Sequence, residues 1–200
     1  MATATFFQRI DVSALSLDLV AKKSKHGNLI FVKNESRSLM FQTPPLPIAW
    51  NVNVRSSDYG NYNCVLPMNL NGEKGLAFKM WLQAVGDHIK ELVRRHGESI
   101  LGSKVSVQHL DRMSLIKLPP ASATANNLAT TFLPKLAFDK ETLDIETGVF
   151  DMSGNTLRAE DVAQGRRPER ILEVLAIVLI DYVFVGTNGT VSMEFDMSVV

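Results

Sequence analysis

The sequence is poor in the residues on which disulfides, metal centres and catalytic sites depend. Cys64 is the only cysteine among 200 residues, so the chain can form neither an internal disulfide nor a zinc site of paired cysteines. The four histidines are scattered, and His88 and His96 lie too far apart in sequence to share one metal ion. The sequence holds no nucleophile elbow, phosphate-binding loop, dinucleotide-binding glycine motif or zinc-protease motif. We therefore expect a protein without enzymatic activity, cofactor or metal.

The sequence also lacks a charge excess and a long apolar run. Lysine and arginine together number 21, aspartate and glutamate also number 21, and the pI is about 6.9. Because strong polyanion binders carry a basic excess, this balance argues against tight duplex binding and leaves only a local basic patch open. The longest apolar run, Val174 to Ile180, is far shorter than the roughly 20 residues that cross a bilayer. The N-terminal residues do not resemble a secretory signal, so we expect a soluble protein that has no membrane span and is not secreted.

A long β-hairpin is predicted over Ile171 to Val200. Its second arm, Val191 to Val199, alternates strictly between apolar and polar residues, which is typical of a half-buried strand. Asn188-Gly189 supplies the positive φ of a tight hairpin turn. The first arm is almost wholly apolar, so we expect both of its faces to be covered.

A second hairpin and one long helix complete the pattern. Residues 28–33 and 38–42 are predicted strands joined by a turn at residues 34–37. Apolar residues then recur at three- and four-residue steps from about Gly75 to His96, which predicts an amphipathic helix with Gly97 as its C′ residue. Residues 119–131 are small, polar and aperiodic, so we expect a flexible excursion there. The sum predicts a mainly β single domain over residues 1–200, a barrel or sandwich with the long helix inserted between strands.

Basic and aromatic residues gather in a few loops and strand ends. Lysine or arginine that follows a phosphate backbone, with aromatic rings for stacking, is the usual arrangement in single-strand binding. Solvated charges in loops are the alternative interpretation. The gathered residues are Lys22, Lys23 and Lys25, then Lys33 and Arg37, then Arg55 with Tyr59 and Tyr62, and finally the basic segment from Arg158 to Arg170. Gly72-Glu73-Lys74-Gly75 matches a backbone-clamping loop, but a plain strand-to-helix turn is the favoured interpretation.

Several short motifs follow one another along Asn28 to Val200. They are Leu39-Met40-Phe41-Gln42-Thr43-Pro44, the helix with Phe78, Trp81 and Leu82, Ile116-Lys117-Leu118-Pro119, Phe132-Leu133-Pro134-Lys135-Leu136, Gly148-Val149-Phe150-Asp151 and the closing hairpin. This order resembles a family of single-stranded-DNA-binding proteins from large nucleocytoplasmic DNA viruses, which is similar to the single-strand-binding protein of short-tailed coliphages. The resemblance implies an OB-like barrel that binds single-stranded DNA. Tyr182 stands where members often carry a tryptophan.

The residue patterns and the resemblance together predict a non-enzymatic viral protein that binds single-stranded nucleic acid. Its expected partners are single-stranded DNA and other virion or replication proteins, and a homo-oligomer is among the alternatives. The expected location is the host cytoplasm or nucleus, or the virion. The alternative function is a structural protein of the virus particle, such as a minor capsid component, that acts through protein–protein contacts. The predicted phosphate contacts are Lys22, Lys23, Lys25, Lys33 and Arg37, and the predicted groove residues are Arg55, Tyr59 and Tyr62.

Overall fold

The structure is a computed structural model in which strands are the main secondary structure. One long helix, α1, spans Glu73–Leu101, and a short helix, α2, spans Val107–Arg112. The structure describes residues 5–18, 20–23, 27–50, 52, 55–56, 62–101, 107–119, 129–148, 150, 153, 155, 166–167, 170–171, 173–186 and 193–199. The strands in these ranges are β1 (Thr5–Phe6), β2 (Leu15–Leu17), β3 (Lys22–Lys23), β4 (Gly27–Asn34), β5 (Arg37–Gln42), β6 (Leu46–Pro47), β7 (Arg55–Ser56), β8 (Tyr62–Asn63), β9 (Met68–Asn69), β10 (Ile116–Lys117), β11 (Thr131–Phe132), β12 (Arg166–Arg167), β13 (Arg170–Ile171), β14 (Glu173–Val174), β15 (Ile177–Gly186) and β16 (Met193–Val199).

The largest sheet has seven strands and is curled into a half-barrel. Its path runs β1-β5-β15-β4-β2, with β16 paired to β15 and β3 paired to β4. The predicted hairpin of β4 and β5 is confirmed, and its two central turn residues, Glu35 and Ser36, have the positive φ of a primed turn. The two strands pair directly only beside this turn, at Lys33 with Ser38 and Asn34 with Arg37. Farther along, β15 pairs with both strands and so separates them.

The inner face of this sheet forms a core with α1. Trp81 of α1 contacts Phe41 of β5 at a ring-centroid distance of 4.8 Å, and His88 Nε2 lies 3.2 Å from the Leu15 carbonyl oxygen of β2. The helix therefore covers the sheet, as its apolar period predicts. The core side chains with no exposed surface in this region are Ile30, Val32, Leu39, Phe41, Leu82, Val85, Ile89, Val93, Ile180 and Val183.

Two details of the predicted elements are wrong. The helix does not end before Gly97 but continues to Leu101, because Gly97 is buried one turn after Val93 on the face that α1 turns toward the core. The first arm of the closing hairpin, β15, is not covered on both faces. Val183 and Val185 are buried there, whereas Tyr182 and Phe184 are only half-buried. The pairing of β15 with β16 confirms that the two arms pair, and the predicted turn at Asn188-Gly189 lies outside the described residues.

The chain divides into two compact units. The first consists of Met1–Phe41, Lys79–Leu115 and Leu179–Met197, and the second of Gln42–Phe78, Ile116–Val178 and Ser198–Val200. The prediction of one domain over residues 1–200 stays a prediction. The predicted excursion at residues 119–131 falls mostly outside the described residues, although its last residue, Thr131, begins β11.

Short ladders make up the second unit. A three-stranded sheet places β11 between β10 and β9, and Phe132 of β11 contacts Phe78 at a ring-centroid distance of 5.6 Å. The backbone and its packing require both glycines of Gly72-Glu73-Lys74-Gly75. Gly72 has a φ of +97°, and a Cβ on Gly75 would come within 2.8 Å of the Leu70 backbone. This supports the interpretation of the loop as a strand-to-helix turn. The remaining ladders of this unit are β6 with β14, β7 with β8 and β12 with β13.

Candidate nucleic-acid interface

Four of the predicted phosphate-contact residues lie in the seven-stranded sheet. Lys22 and Lys23 form β3, Lys33 lies near the end of β4, and Arg37 begins β5. Lys22, Lys23 and Arg37 are exposed, and the Lys33 side chain is 22% exposed. Two separated segments of the sequence are thus brought to one sheet.

The strand register divides these cations between the two faces of the sheet. Residues directly opposite each other in an antiparallel ladder point to the same face. Lys22 is opposite Leu29, and Leu29 shares a face with Lys33 because the two residues are an even number of positions apart on β4. Lys23 is opposite Asn28 and therefore belongs to the other face at the sheet edge. Lys22 and Lys33 are separated by about 13 Å along β4, at the usual rise of a strand.

Aromatic side chains occupy the same face as Lys22 and Lys33. Tyr182 is opposite Phe31, and Phe184 is opposite Leu29, so all three rings lie on this side of β4 and β15. The rings of Phe31 and Tyr182 contact edge to face, with centroids 5.9 Å apart. All three aromatic residues are half-buried, so none of them is enclosed in the core. We call this surface the aromatic face, and it consists of Lys22, Leu29, Phe31, Lys33, Tyr182 and Phe184.

A glycine in β4 positions the Phe184 ring. A Cβ on Gly27 would come within 2.8 Å of that ring and closer still to the Val185 carbonyl oxygen. The ring therefore lies in the space that a side chain at position 27 would occupy. Since Gly27 is opposite Gly186, β4 and β15 both have a glycine at this end of their ladder.

Lys33 connects the aromatic and the charged parts of this surface. Its Nζ lies 5.3 Å from the centroid of the Phe31 ring, within the range of a cation–π contact. The same Nζ is 3.6 Å from Asp18 Oδ2, and the Asp18 side chain is 46% exposed. Asp181 also carries negative charge near this region and accepts a hydrogen bond from Ser38 Oγ at 3.4 Å. Acidic residues therefore lie beside the aromatic face, although its own charged members are both lysines.

Of the remaining predicted groove and phosphate-contact residues, the structure describes Arg55 and Tyr62. Arg55 of β7 and Tyr62 of β8 belong to the second unit, where Arg55 is opposite Asn63 and Ser56 is opposite Tyr62. Lys25 and Tyr59 lie outside the described residues. Within the basic segment from Arg158 to Arg170, the structure describes Arg166, Arg167 and Arg170, which lie in β12 and β13.

Reasoning from the sequence missed the aromatic residues of the site. The sequence patterns predict Phe31 only as part of a hairpin strand, and Phe184 only as part of an arm covered on both faces. A signal was nevertheless present in β4, where Leu29, Phe31 and Lys33 alternate with Ile30 and Val32. That alternation puts an aromatic ring and a cation together on one side of a strand.

Other chemistry receives little support from the described side chains. Burial raises the pKa of the Cys64 thiol, which is almost fully buried and thus a poor nucleophile at neutral pH. In the described ranges, no three side chains of histidine, cysteine, aspartate or glutamate lie close enough to hold a metal ion. None of the described helices combines the length and apolar character needed to cross a membrane.

Comparison with known proteins adds no assignment. The chain matches no protein-family model and no curated protein sequence.

Proposed function

We propose that the protein binds single-stranded nucleic acid on the aromatic face, without catalysing a reaction. The observation that carries this proposal is the arrangement of Phe31, Tyr182 and Phe184 on one side of two paired strands, with Lys22 and Lys33 on the same side. Aromatic platforms flanked by cations recognise single strands through stacking and phosphate contacts, largely without regard to sequence. The curled sheet agrees with an OB-like barrel, and that finer identity is part of the proposal.

The geometry favours a single strand over a duplex. A base stacks on an aromatic ring only when its own face is free, which requires that it has left the stack of a double helix. The formal net charge of zero also argues against tight binding to a duplex backbone. Phosphate contacts would then come first from Lys22 and Lys33, which share this face. Lys23 and Arg37 belong to the other face, and would contact only a strand that passes around the edge of the sheet.

Replacement of Tyr182 tests the stacking role. Tyr182→Leu removes the ring but keeps an apolar side chain, and we expect affinity for a labelled oligothymidylate to fall about 5- to 150-fold, the range of base–aromatic stacking. Tyr182→Phe keeps the ring and should bind within about twofold of the unmodified protein, since stacking needs only the π face. Fluorescence anisotropy at low salt measures both, and thermal unfolding shows whether each variant is folded.

The outcomes separate the proposal from its alternatives. No saturable binding by the unmodified protein at low salt, where charges are least screened, would overturn the proposed function. Equal losses in the leucine and phenylalanine variants would show that the hydroxyl, and not the ring, makes the contact. A duplex of the same length that competes as well as the single strand would contradict the stacking argument.

A structural role in a virus particle is the second candidate, and exposed apolar side chains favour it. Val20, Met80, Leu118 and Phe150 are each more than half exposed. Large exposed apolar patches mark protein interfaces, but apolar residues scattered singly are common on soluble proteins. This observation therefore supports the second candidate less strongly than the aromatic face supports the first. Concentration-dependent self-association in light scattering, together with an absence of DNA binding, would favour the structural role.

A further inference from the structure

We propose that Asp18 is a built-in competitor that occupies Lys33 in the free protein and must be displaced by a phosphate when nucleic acid binds. This inference rests on the proposed function of the aromatic face. Displacement of Asp18 would regulate the access of a phosphate to Lys33. Asp18 is not among the residues that the sequence patterns single out.

The position of Asp18 is fixed by its backbone. Asp18 directly follows β2, and its backbone N–H donates a 3.0 Å hydrogen bond to the carbonyl oxygen of Phe31 on β4. This bond ties Asp18 to the residue whose ring lies beneath the Lys33 ammonium group. The sheet therefore fixes the Asp18 backbone, from which the carboxylate reaches Lys33.

The ion pair between Asp18 and Lys33 is weak enough for a phosphate to displace it. The separation of 3.6 Å between Nζ and Oδ2 is longer than a charge-assisted hydrogen bond, and the Asp18 side chain is 46% exposed. Ion pairs with this exposure are weak, because water and salt screen them. A phosphate that approaches Lys33 meets a carboxylate of the same sign, which has room to rotate into solvent. Binding at Lys33 thus exchanges one anion for another and gains less than binding at an unpaired lysine.

Asp18→Asn tests the inference because asparagine is nearly isosteric and uncharged. We expect oligothymidylate affinity at low salt to rise about two- to fivefold, the size expected for one exposed ion pair. We also expect the dependence of affinity on salt to become steeper, because Lys33 then releases a bulk counterion instead of exchanging Asp18. When Lys33 is already replaced by glutamine, adding Asp18→Asn should give no further gain in affinity, since the competitor acts only through Lys33.

Asp87→Asn is the matched control. Asp87 on α1 also pairs with a lysine, at 3.3 Å from Lys90 Nζ, and its side chain is 75% exposed. Its replacement removes the same charge and the same kind of ion pair away from the aromatic face, so we expect affinity to stay within about 1.5-fold at low salt. A gain equal to that of Asp18→Asn would show a general charge effect and overturn the inference.

The unmodified protein and Asp18→Asn together distinguish the two proposals. Binding by both, with equal affinity, would refute the competitor and leave the proposed function standing. Tighter binding by Asp18→Asn than by a binding unmodified protein would support the competitor and the proposed function together. Absence of binding by both proteins at low salt would reject the proposed function, and the competitor with it.

Discussion

At the scale of single residues, two glycines differ in the space they leave for an added methyl group. A Cβ on Gly27 would collide with the Val185 carbonyl oxygen and lie 2.8 Å from the Phe184 ring, whereas the nearest atom to a Cβ on Gly86 is Leu115 Cδ1 at 3.8 Å. We expect Gly27→Ala to lower the free energy of unfolding by about 1–3 kcal/mol, as overpacking does. Gly86→Ala should raise it by about 0.5–1 kcal/mol, because alanine costs less backbone entropy in a helix.

Urea denaturation of the two variants and the unmodified protein measures both changes. Since the same substitution is made in each variant, the sign of the difference depends only on the local space and backbone. A shift of the same sign in both would contradict the packing described around Gly27. Gly27→Ala should also weaken oligonucleotide binding, because the displaced Phe184 ring belongs to the aromatic face.

At the scale of elements, the helix is what the sequence predicts best. Its apolar positions recur over several turns, and a face defined by that many residues is insensitive to a single exception. On its exposed side, Glu91 pairs with Arg95 one turn later at 2.7 Å, and hydrogen bonds from Arg95 and Arg94 lower the pKa of the Glu91 carboxyl. The predicted end of the helix depends on local signals such as Gly97, and there the burial of that residue in the core outweighs its preference for a helix terminus.

The order of the strands in the sheet could not be predicted from local sequence patterns. Each strand of the β4–β5 hairpin is visible in its own residues, but the entry of β15 between them joins segments about 150 residues apart in the chain. The aromatic face exists only through that pairing, since it is built from Phe31 on one strand and Tyr182 and Phe184 on the other. The cations of β3 and β4, and Phe31 between them, are close in sequence and could be proposed from it, whereas their neighbours Tyr182 and Phe184 could not.

The covering of the sheet by α1 leads to a prediction at this scale. Ile89 has no exposed surface and lies on the face of α1 that is turned toward the core. We expect Ile89→Ala to lower the free energy of unfolding by about 2–5 kcal/mol, because it removes buried methyl groups and leaves a cavity. Gln83→Ala, an exposed position of the same helix, should change it by less than about 0.5 kcal/mol. Thermal unfolding followed by circular dichroism measures both, and equal effects would place Ile89 outside the core.

At the scale of the whole molecule, electrical neutrality limits how this protein can hold a polyanion. The 21 basic residues are balanced by 21 acidic ones, so any attraction must come from a local imbalance. The described sheet offers Lys22, Lys23, Lys33 and Arg37, and Asp18 lies within ion-pair distance of one of them. Stacking on the aromatic face is less affected by salt than phosphate contacts are. We therefore expect a binding mode in which the rings contribute a large share of the affinity.

The salt dependence of binding measures how much of the affinity comes from phosphate contacts and how much is left for the rings. Each phosphate contact on a single strand contributes about −0.7 to the slope of log K against log salt, so the cations of the sheet allow a slope no steeper than about −3. We expect a value between about −1 and −3 in anisotropy titrations with oligothymidylate from low to physiological salt. A slope near zero would mean that these cations do not contact phosphates. A slope steeper than about −5 would require more cations than the sheet supplies. The basic segment from Arg158 to Arg170 would then be the first candidate for the additional phosphate contacts. Replacement of Arg166 and Arg167 with glutamine would test it.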